Sequence, residues 1–486
     1  MSFDSLSFML FFPIVILLYY VLPQKYRRVW LLISSYYFYI CWDVKYAVVL
    51  LGITYITYIA ARIMNTGKRK LVLTVCIIIN LVILGSFKYL GFVISNLNKI
   101  LEVLGIHIVE ADYSIMVPLG ISFYMLQALG YVIDVYRGVV QVETNFLNYA
   151  LYVSFFPTMP SGPIERSTNL LRQIQKGTDF SYDGVKKGLL MMGYGYFEKI
   201  LIANKIAGMV NNAYEYYLSI TGATLALAVV LYGIQIYADF SGYSHIAIGA
   251  AKVLGFDLKN NFRQPYFACS IKEFWQRWHI SLSSWLRDYV YIPFGGSRKG
   301  SFRTYCNLMI TFIVSAIWHG AGWKYIVWGG LHGIYQIIEK VTFEFRNKVF
   351  SKIEKKQENC LIRVFRIFFT FGLVDFAWLF FGAPSIKSAV VIIYRIITEF
   401  QMKETIKEGY HLEAIGEEGF LILIVCIAVV FIIDLIHEKN ISITEWLAAK
   451  HIVFRWIVYL VVALTLLSGI IYNYGVDAST FIYAQF

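Results

Sequence analysis

The chain has 486 residues, of which 58% are hydrophobic and 15% charged, and its mean hydropathy is +0.60. Soluble globular domains carry about 25% charged and about 45–50% apolar residues, so this composition excludes a water-soluble protein. The net charge of +12 comes from basic residues spread over short loops, which gives no reason to expect a nucleic-acid partner. We therefore predict a helical membrane protein surrounded by lipid, because helices satisfy their own backbone polar groups in the bilayer.

Apolar runs recur along the whole chain. About 20 apolar residues span the hydrocarbon core as a helix. The runs lie at 6–22, 29–42, 44–64, 71–95, 114–136, 186–212, 223–251, 304–320, 325–339, 361–383, 418–436 and 453–474. They predict an all-α, polytopic membrane protein with about 11–13 spans. Since no linker, low-complexity tract or repeat divides the chain, we expect one membrane-embedded domain over residues 1–486, with its catalytic core in 114–340.

Two further stretches, 146–163 and 264–297, are apolar but interrupted by Pro, Gly and charged residues. Irregular backbone at membrane depth is tolerated only where protein buries it or where it lines a cavity. These stretches are therefore predicted to be re-entrant or interfacial segments.

The placement of Lys and Arg predicts the orientation. With the N-terminus outside and alternating spans, the inside segments hold 33 of the 43 basic residues and the outside segments hold 7. Cytoplasmic loops carry an excess of basic residues. The N-terminus is therefore predicted to lie outside, with residues 137–187 and 252–303 in the cytoplasm.

Two histidines are the first candidates for chemistry. His319, beside Trp318, lies near the outer end of an apolar run, and His279 follows Trp278 in an interrupted segment. An ionisable residue inside a membrane usually faces an interior cavity, and an imidazole can accept and return a proton near neutral pH. From the residues alone, each histidine can instead be a structural group that holds a helix bundle or a helix end together.

Asp239 lies in an apolar helix and needs a polar partner. Tyr243, one turn later, is a natural local partner. From the residues alone, the carboxylate of Asp239 can equally be catalytic or structural. His245 and His332 are weaker candidates, because His245 lies near a helix end and His332 lies in a Gly-rich helix whose close packing explains it.

Arg277, Arg287, Arg298 and Lys299 are predicted to form a basic cytoplasmic collar. They are either solvated charges that set the topology or a surface that binds an anionic, phosphate-bearing donor. The six cysteines are scattered without a CxxC pair or a His-rich cluster, so we predict no metal site.

Several motifs together resemble the membrane-bound O-acyltransferase (MBOAT) family, and most closely its bacterial branch, typified by the alginate O-acetyltransferase membrane subunit. They are WHG at 318–320, WHISLS at 278–283, VPLGISFY at 117–124, DVYRG at 134–138 and SGPIER at 161–166. The resemblance covers most of the chain up to about residue 340 and weakens after 360.

The resemblance implies helices around a transmembrane tunnel, with His319 as the catalytic residue and His279 as the second family histidine. It also implies no bound cofactor, a location in the bacterial cytoplasmic membrane, and acyl transfer from a cytosolic thioester to a hydroxyl group. Members of this branch modify cell-surface polysaccharides, usually with an exported or membrane-anchored acyltransferase partner. Relatives commonly carry an acidic residue where this chain has His245, so no catalytic carboxylate is assigned there, whereas Asp239 fits the pattern.

We therefore expect acetyl-CoA to enter from the cytoplasmic collar, with His319 acting as general base on an acceptor hydroxyl. The immediate acceptor is either a Ser of the partner or the sugar itself. Two alternatives stay open: transfer of D-alanine from a carrier protein to teichoic acid, and a transporter of polysaccharide precursors that uses Asp and His as a proton relay.

Overall fold

The computed structural model describes residues 1–64, 67–105, 116–345, 360–402 and 416–472. Every regular element in these ranges is a helix, and no strand occurs in them. The prediction of an all-α protein is confirmed.

We number the α-helices of the described ranges in chain order. They are α1 (Leu6–Val21), α2 (Gln24–Ile40), α3 (Val44–Ile63), α4 (Arg69–Lys88), α5 (Leu90–Val103), α6 (Ile121–Arg137), α7 (Phe146–Ser154), α8 (Arg172–Lys176), α9 (Tyr182–Tyr196), α10 (Asn204–Glu215), α11 (Gly222–Val253), α12 (Ile271–Arg277), α13 (Ile280–Leu286), α14 (Ser301–His319), α15 (Trp323–Val341), α16 (Cys360–Gly382), α17 (Ile386–Thr398), α18 (Gly416–Glu438), α19 (Ile443–Ala448) and α20 (Ile452–Tyr472). Short π-helical segments lie at Ser167–Leu171, Phe197–Ala203 and Arg287–Tyr291, and a 3-10 turn lies at Pro265–Phe267.

Five helices of the described ranges are long and apolar enough to cross a membrane. They are α3, α4, α11, α16 and residues Glu418–Glu438 of α18, while Leu6–Val21 and Ile452–Leu464 are apolar but shorter. The other predicted apolar runs also fall on helices within the described residues, and residues 473 and 474 of the last run lie outside them. The chain is thus a polytopic helical membrane protein, and its total of about 11–13 spans stays a prediction.

Three predicted runs differ clearly from the elements of the structure. The run 186–212 extends over α9, the π-helical segment Phe197–Ala203 and α10. The run 71–95 is divided, because α4 ends at Lys88 and α5 begins at Leu90. In the run 114–136 the helix begins only at Ile121, and residues 114 and 115 lie outside the described residues. Gly120, just before this helix, has a left-handed backbone (φ 70°), and a Cβ there would lie 2.1 Å from the carbonyl oxygen of Met159. Only glycine fits this close approach.

The centre of the protein is α11, whose 32 residues are mostly buried and extend about 48 Å. Helix α9 crosses it with the two backbones in contact. A Cβ on Gly195 would lie 2.5 Å from the carbonyl oxygen of Gly242, and one on Gly188 would lie 2.7 Å from that of Gly249. Small residues allow membrane helices to approach this closely, so Gly195 is a packing residue.

The two interrupted stretches are irregular, as predicted. Helix α7 ends at Ser154 and a non-helical segment continues to Arg166, and every residue from 148 to 165 is buried. The stretch 264–297 consists of α12, α13 and short turns. Protein therefore covers the first irregular segment, as a membrane environment requires, and the depth of both segments in the bilayer stays a prediction.

Candidate active site

His319 is the last residue of α14 and lies in a tight turn. The backbone of Gly320 is extended, and a Cβ there would lie 2.2 Å from the ring of Tyr325 in α15. The absence of a side chain at this position therefore lets α15 pack directly over the turn. His319 is 2% exposed, and its ring contacts Trp328 at 4.9 Å and Phe381 at 5.4 Å between centroids.

The junction between α4 and α5 holds the carbonyl groups of this turn. Lys88 donates a hydrogen bond to the carbonyl oxygen of Trp318, and the Tyr89 hydroxyl donates to that of Ile317. The last carbonyls of a helix have no partner within the helix, and a cation is favourable at this end of the helix dipole. Lys88 also lies 3.3 Å from the Ser122 hydroxyl. The break in the run 71–95 therefore places Lys88 and Tyr89 against the turn that holds His319. The sequence did not predict this contact.

His279 lies at a strained backbone position. Its backbone is left-handed (φ 43°), an uncommon conformation for a residue with a side chain, and it immediately precedes α13. The next two backbone amides bond to Asn261, from Ile280 to its carbonyl at 2.9 Å and from Ser281 to its side chain at 3.4 Å. The Ser281 hydroxyl in turn accepts the amide of Ile164 at 3.0 Å. The WHISLS and SGPIER motifs thus fix each other around His279.

Trp318 lies against both predicted histidines. Its ring centroid is 5.9 Å from that of His279 and 4.9 Å from that of His319. Phe123 contacts Trp318 at 5.3 Å and His279 at 6.1 Å, and Phe240 contacts His279 at 4.6 Å. Both histidines are buried. The structure therefore brings His279, Trp318 and His319, which span 40 positions in the sequence, into one aromatic cluster.

His332 belongs to the same cluster, although it was a weaker candidate for chemistry from the sequence alone. It is 0% exposed, and its Nδ1 accepts a hydrogen bond from the indole of Trp275 at 3.2 Å. The ring of Trp328 contacts His319 at 4.9 Å and His332 at 5.2 Å. The available sequence signal was the spacing of Trp328 and His332, because residues four apart share a helix face.

Asp239 and Tyr243 have partners on other helices. Asp239 forms a buried ion pair with Lys199 at 2.6 Å, and the Tyr243 hydroxyl donates to Asp4 at 3.3 Å. Lys199 also lies 5.4 Å from the Tyr243 ring centroid. The next residue after Asp239, Phe240, is the one that contacts His279. Asp239 is therefore adjacent to the histidine cluster in sequence, while its carboxylate is held by a lysine of a neighbouring segment.

His245, one of the weaker sequence candidates, also has a specific partner. Its Nδ1 lies 2.6 Å from a carboxylate oxygen of Glu198, and the other oxygen of Glu198 accepts the Ser241 hydroxyl at 2.6 Å. Glu198 and Lys199 are consecutive residues of one π-helical segment. This segment therefore supplies the buried charges that pair with α11.

Two of the motifs that carry the resemblance meet at the π-helical segment Arg287–Tyr291. The Tyr289 hydroxyl donates to Asp134 of DVYRG at 2.8 Å, and Arg166 of SGPIER forms an ion pair with Asp288 at 3.0 Å. Arg166 also lies 4.4 Å from the Tyr289 ring centroid. These motif residues join α6 to the segment after α13 and have structural partners of their own.

A cavity of about 2010 Å³ lies between α12, α13, α14, α15 and α16. Small-molecule pockets commonly measure about 300–1,000 Å³, so this one can hold a long ligand. It extends from exposed residues such as Arg287 and Lys340 to the buried Ser315, one helical turn before His319. Its charged lining residues are Lys272, Arg287, Lys340, Arg366, Glu339 and Glu344. The basic residues exceed the acidic ones, which suits an anionic ligand.

The four residues of the predicted basic collar differ in their surroundings. Arg277 does not line the cavity and forms ion pairs at 2.6 Å with Glu273 and with Glu438. Burial opposes its charge, but the bonds to Glu438 and Glu273 outweigh this effect and raise the pKa of the guanidinium. Arg277 is thus already neutralised by two carboxylates.

Arg287 lines the cavity and is paired with Asp288 at 2.8 Å. Arg298 and Lys299 are exposed beside Ser297, which also lines the cavity. Among the described residues, no group of three or more His, Cys, Asp or Glu side chains is placed to hold a metal ion.

The chain is similar to known acyltransferases. The model of the MBOAT, membrane-bound O-acyltransferase family, matches residues 139–377. A "Probable alginate O-acetylase AlgI" of Pseudomonas putida is 37% identical over 396 residues, covering 80% of this chain and 79% of the relative. The peptidoglycan O-acetyltransferase of Helicobacter pylori is 31% identical, covering 79% and 77%. The teichoic acid D-alanyltransferase of Streptococcus thermophilus is 29% identical, covering 56% and 70%.

These relatives favour an acyltransferase over the transporter alternative, because the family and its named members transfer acyl groups. The helices able to span a membrane agree with an integral membrane enzyme. The chain belongs to the membrane-bound O-acyltransferase family and is a membrane O-acyltransferase.

Proposed function

We propose that the protein moves an acetyl group from cytosolic acetyl-CoA to a hydroxyl group for the O-acetylation of a cell-surface polysaccharide. The observation that carries this proposal is the buried cluster of His279, Trp318 and His319 near a large cavity with a basic lining, which includes Ile280, the residue after His279, and Ser315, one helical turn before His319. The more extensive likeness to polysaccharide O-acetylating relatives supports acetate over D-alanine.

His319 is the general base of the proposed reaction. It takes the proton of the acceptor hydroxyl, whose oxygen bonds to the thioester carbon. The carbon–sulfur bond then breaks, and His319 returns the proton to the departing thiolate, so the histidine is unchanged overall. A positioned base of this kind contributes about 10²–10⁴ in rate. Burial of the site keeps water away from the activated acyl group.

His279 and Trp318 are proposed to orient this base. The left-handed backbone of His279 and the hydrogen bond from the Trp318 indole to the Ser122 carbonyl oxygen at 3.3 Å fix both side chains. Arg287, Arg298 and Lys299 are proposed to attract the phosphates of the donor at the cavity mouth. With the predicted orientation, this mouth faces the cytoplasm, where acetyl-CoA is made.

The acceptor is proposed to be presented outside by an exported or membrane-anchored acyltransferase partner. Either a Ser of that partner or a sugar hydroxyl accepts the acetyl group first. In this proposal the protein lies in the bacterial cytoplasmic membrane with its N-terminus outside.

The proposal is tested by measuring ester-linked acetate and D-alanine on isolated surface polymers. Cells with the intact gene, without it, and with the gene restored are compared. Acetate that disappears on deletion and returns on restoration is the expected result. A loss of D-alanyl esters with unchanged acetate would assign the protein to teichoic acid D-alanylation instead, which the similarity to D-alanyltransferases makes the second candidate.

A further inference from the structure

Three buried N–H groups near His319 lack a hydrogen-bond acceptor within the described part of the chain. They are the Nε1–H groups of Trp328 and Trp378 and the Nε2–H of His332. All three side chains are 0% exposed. An unsatisfied buried donor costs about 1–3 kcal/mol, and native proteins contain few of them. Three such donors in one place therefore suggest a ligand that supplies acceptors.

The tautomer of His332 follows from its one hydrogen bond. The indole N–H of Trp275 can only donate, so Nδ1 of His332, at 3.2 Å, must be the acceptor. A neutral imidazole then carries its proton on Nε2. His332 therefore has a hydrogen-bond donor that is fixed in place by Trp275.

The three donors belong to rings in mutual contact. Trp328 and Trp378 are stacked with centroids 5.6 Å apart, and His332 lies 5.2 Å from Trp328 and 6.3 Å from Trp378. Trp328 also contacts His319 at 4.9 Å. We call His332, Trp328 and Trp378 the donor cluster. It lies directly beside the proposed base.

The donor cluster also borders the inner end of the large cavity. Trp275, Phe312 and Tyr335 line the cavity, and their rings contact His332 at 5.0, 6.1 and 5.8 Å. The buried Ser315, another lining residue, has a hydroxyl without a partner among the described residues. A long ligand that fills the cavity would bring its inner end to this cluster.

We propose that the donor cluster binds the carbonyl oxygen of the acyl donor, with the Nε2–H of His332 and the indole N–H of Trp328 as its hydrogen-bond donors. This inference rests on the proposed function. As the acceptor oxygen bonds to the thioester carbon, negative charge develops on the carbonyl oxygen until the carbon–sulfur bond breaks. Fixed N–H groups in a buried site stabilise that charge and need no reorganisation during the reaction.

Two variants of His332 separate binding of the carbonyl from a structural role. In His332→Asn, the side-chain amide lies near the position of Nδ1 and can keep the contact with Trp275, but the Nε2 donor is lost. In His332→Gln, the amide N–H reaches the position of Nε2. If the donor matters, Gln retains activity and Asn does not, whereas a structural role predicts the reverse.

The assay uses inside-out membrane vesicles from cells that contain the full-length protein and its natural acceptor. Acetyl-CoA labelled in the acetyl group is added, and alkali-labile label in the acceptor is measured against acetyl-CoA concentration. We expect His332→Asn to lower kcat about 10²-fold with little change in KM, as for loss of one donor to a developing oxyanion. We expect His332→Gln to recover most of this loss.

Equal losses in both His332 variants, or wild-type kcat in His332→Asn, would overturn the assignment. Should neither variant accumulate in the membrane, Trp328→Phe decides, since it keeps a ring and removes the N–H. A lowered kcat at unchanged thermal stability supports the assignment, and a wild-type kcat overturns it. Wild-type vesicles that transfer no label from acetyl-CoA would overturn the proposed function itself, and the wild-type control makes that failure distinguishable.

Discussion

The buried ion pair between Lys199 and Asp239 offers a sharp test of whether Asp239 is architectural. The two charges are 2.6 Å apart, and their side chains are 0% and 2% exposed. At an effective dielectric constant of about 20, charges at this distance attract by about 6 kcal/mol, most of which offsets their desolvation. Asp239→Leu leaves the ammonium of Lys199 buried without its carboxylate, and breaking such a pair costs about 3–5 kcal/mol.

The assay is thermal unfolding of the detergent-purified protein, together with acyl transfer in membranes. We expect Asp239→Leu and Lys199→Met each to lower the free energy of unfolding by about 3–5 kcal/mol. The double variant should regain most of the stability, because apolar residues often replace a buried pair at no net cost, and it should retain acyl transfer. A double variant that is stable but inactive would refute this reasoning and give Asp239 a chemical role.

Three further predictions concern the helix packing, the cavity mouth and the turn at His319. Gly329→Ala should destabilise the protein by about 1–3 kcal/mol in thermal unfolding, because its Cβ would lie 2.7 Å from atoms of α14. Gly330 has open space within the same helix, so Gly330→Ala should not destabilise the protein. Equal losses of stability in the two variants would contradict the packing. Replacing Arg298 and Lys299 together by Gln should raise the KM for acetyl-CoA several-fold. The increase should be largest at low salt, because salt screens the attraction between exposed charges and the donor. An unchanged KM would exclude a role of these two residues in donor binding. Lys88→Met should lower kcat about 10-fold, because it removes a charge-assisted hydrogen bond worth about 1.5–3 kcal/mol. An unchanged kcat at equal protein level would show that the bond from Lys88 to Trp318 does not position the turn.

The helices were predictable because long apolar runs have few alternatives in a membrane protein. The break at Tyr89 was not, since the run 71–95 is apolar on both sides and no Pro or helix-ending Gly marks the junction. This break places a lysine and a tyrosine on the turn of His319. Their contact with the turn joins segments about 230 residues apart. Hydrophobic periodicity carries no information about such contacts.

The candidate site shows the same limit. His319, His279 and Trp318 were found from local motifs, and the structure brings them together. The local rule for helix neighbours suggested Tyr243 as partner of Asp239, but the ion-pair partner is Lys199, 40 positions earlier and on another segment. His332 was ranked low because glycines surround it, and only the fold reveals its contact with Trp275 and Trp328.

The role of His319 as general base is tested most directly by the rate of transfer of labelled acetate from acetyl-CoA in vesicles containing equal amounts of wild-type protein or the variant His319→Ala. His451→Ala is the matched control, since His451 is exposed and lies outside the site. We predict a loss of about 10²–10⁴-fold for His319→Ala and a wild-type rate for His451→Ala. A correctly folded His319→Ala protein that transfers acetate at the wild-type rate would contradict the mechanism.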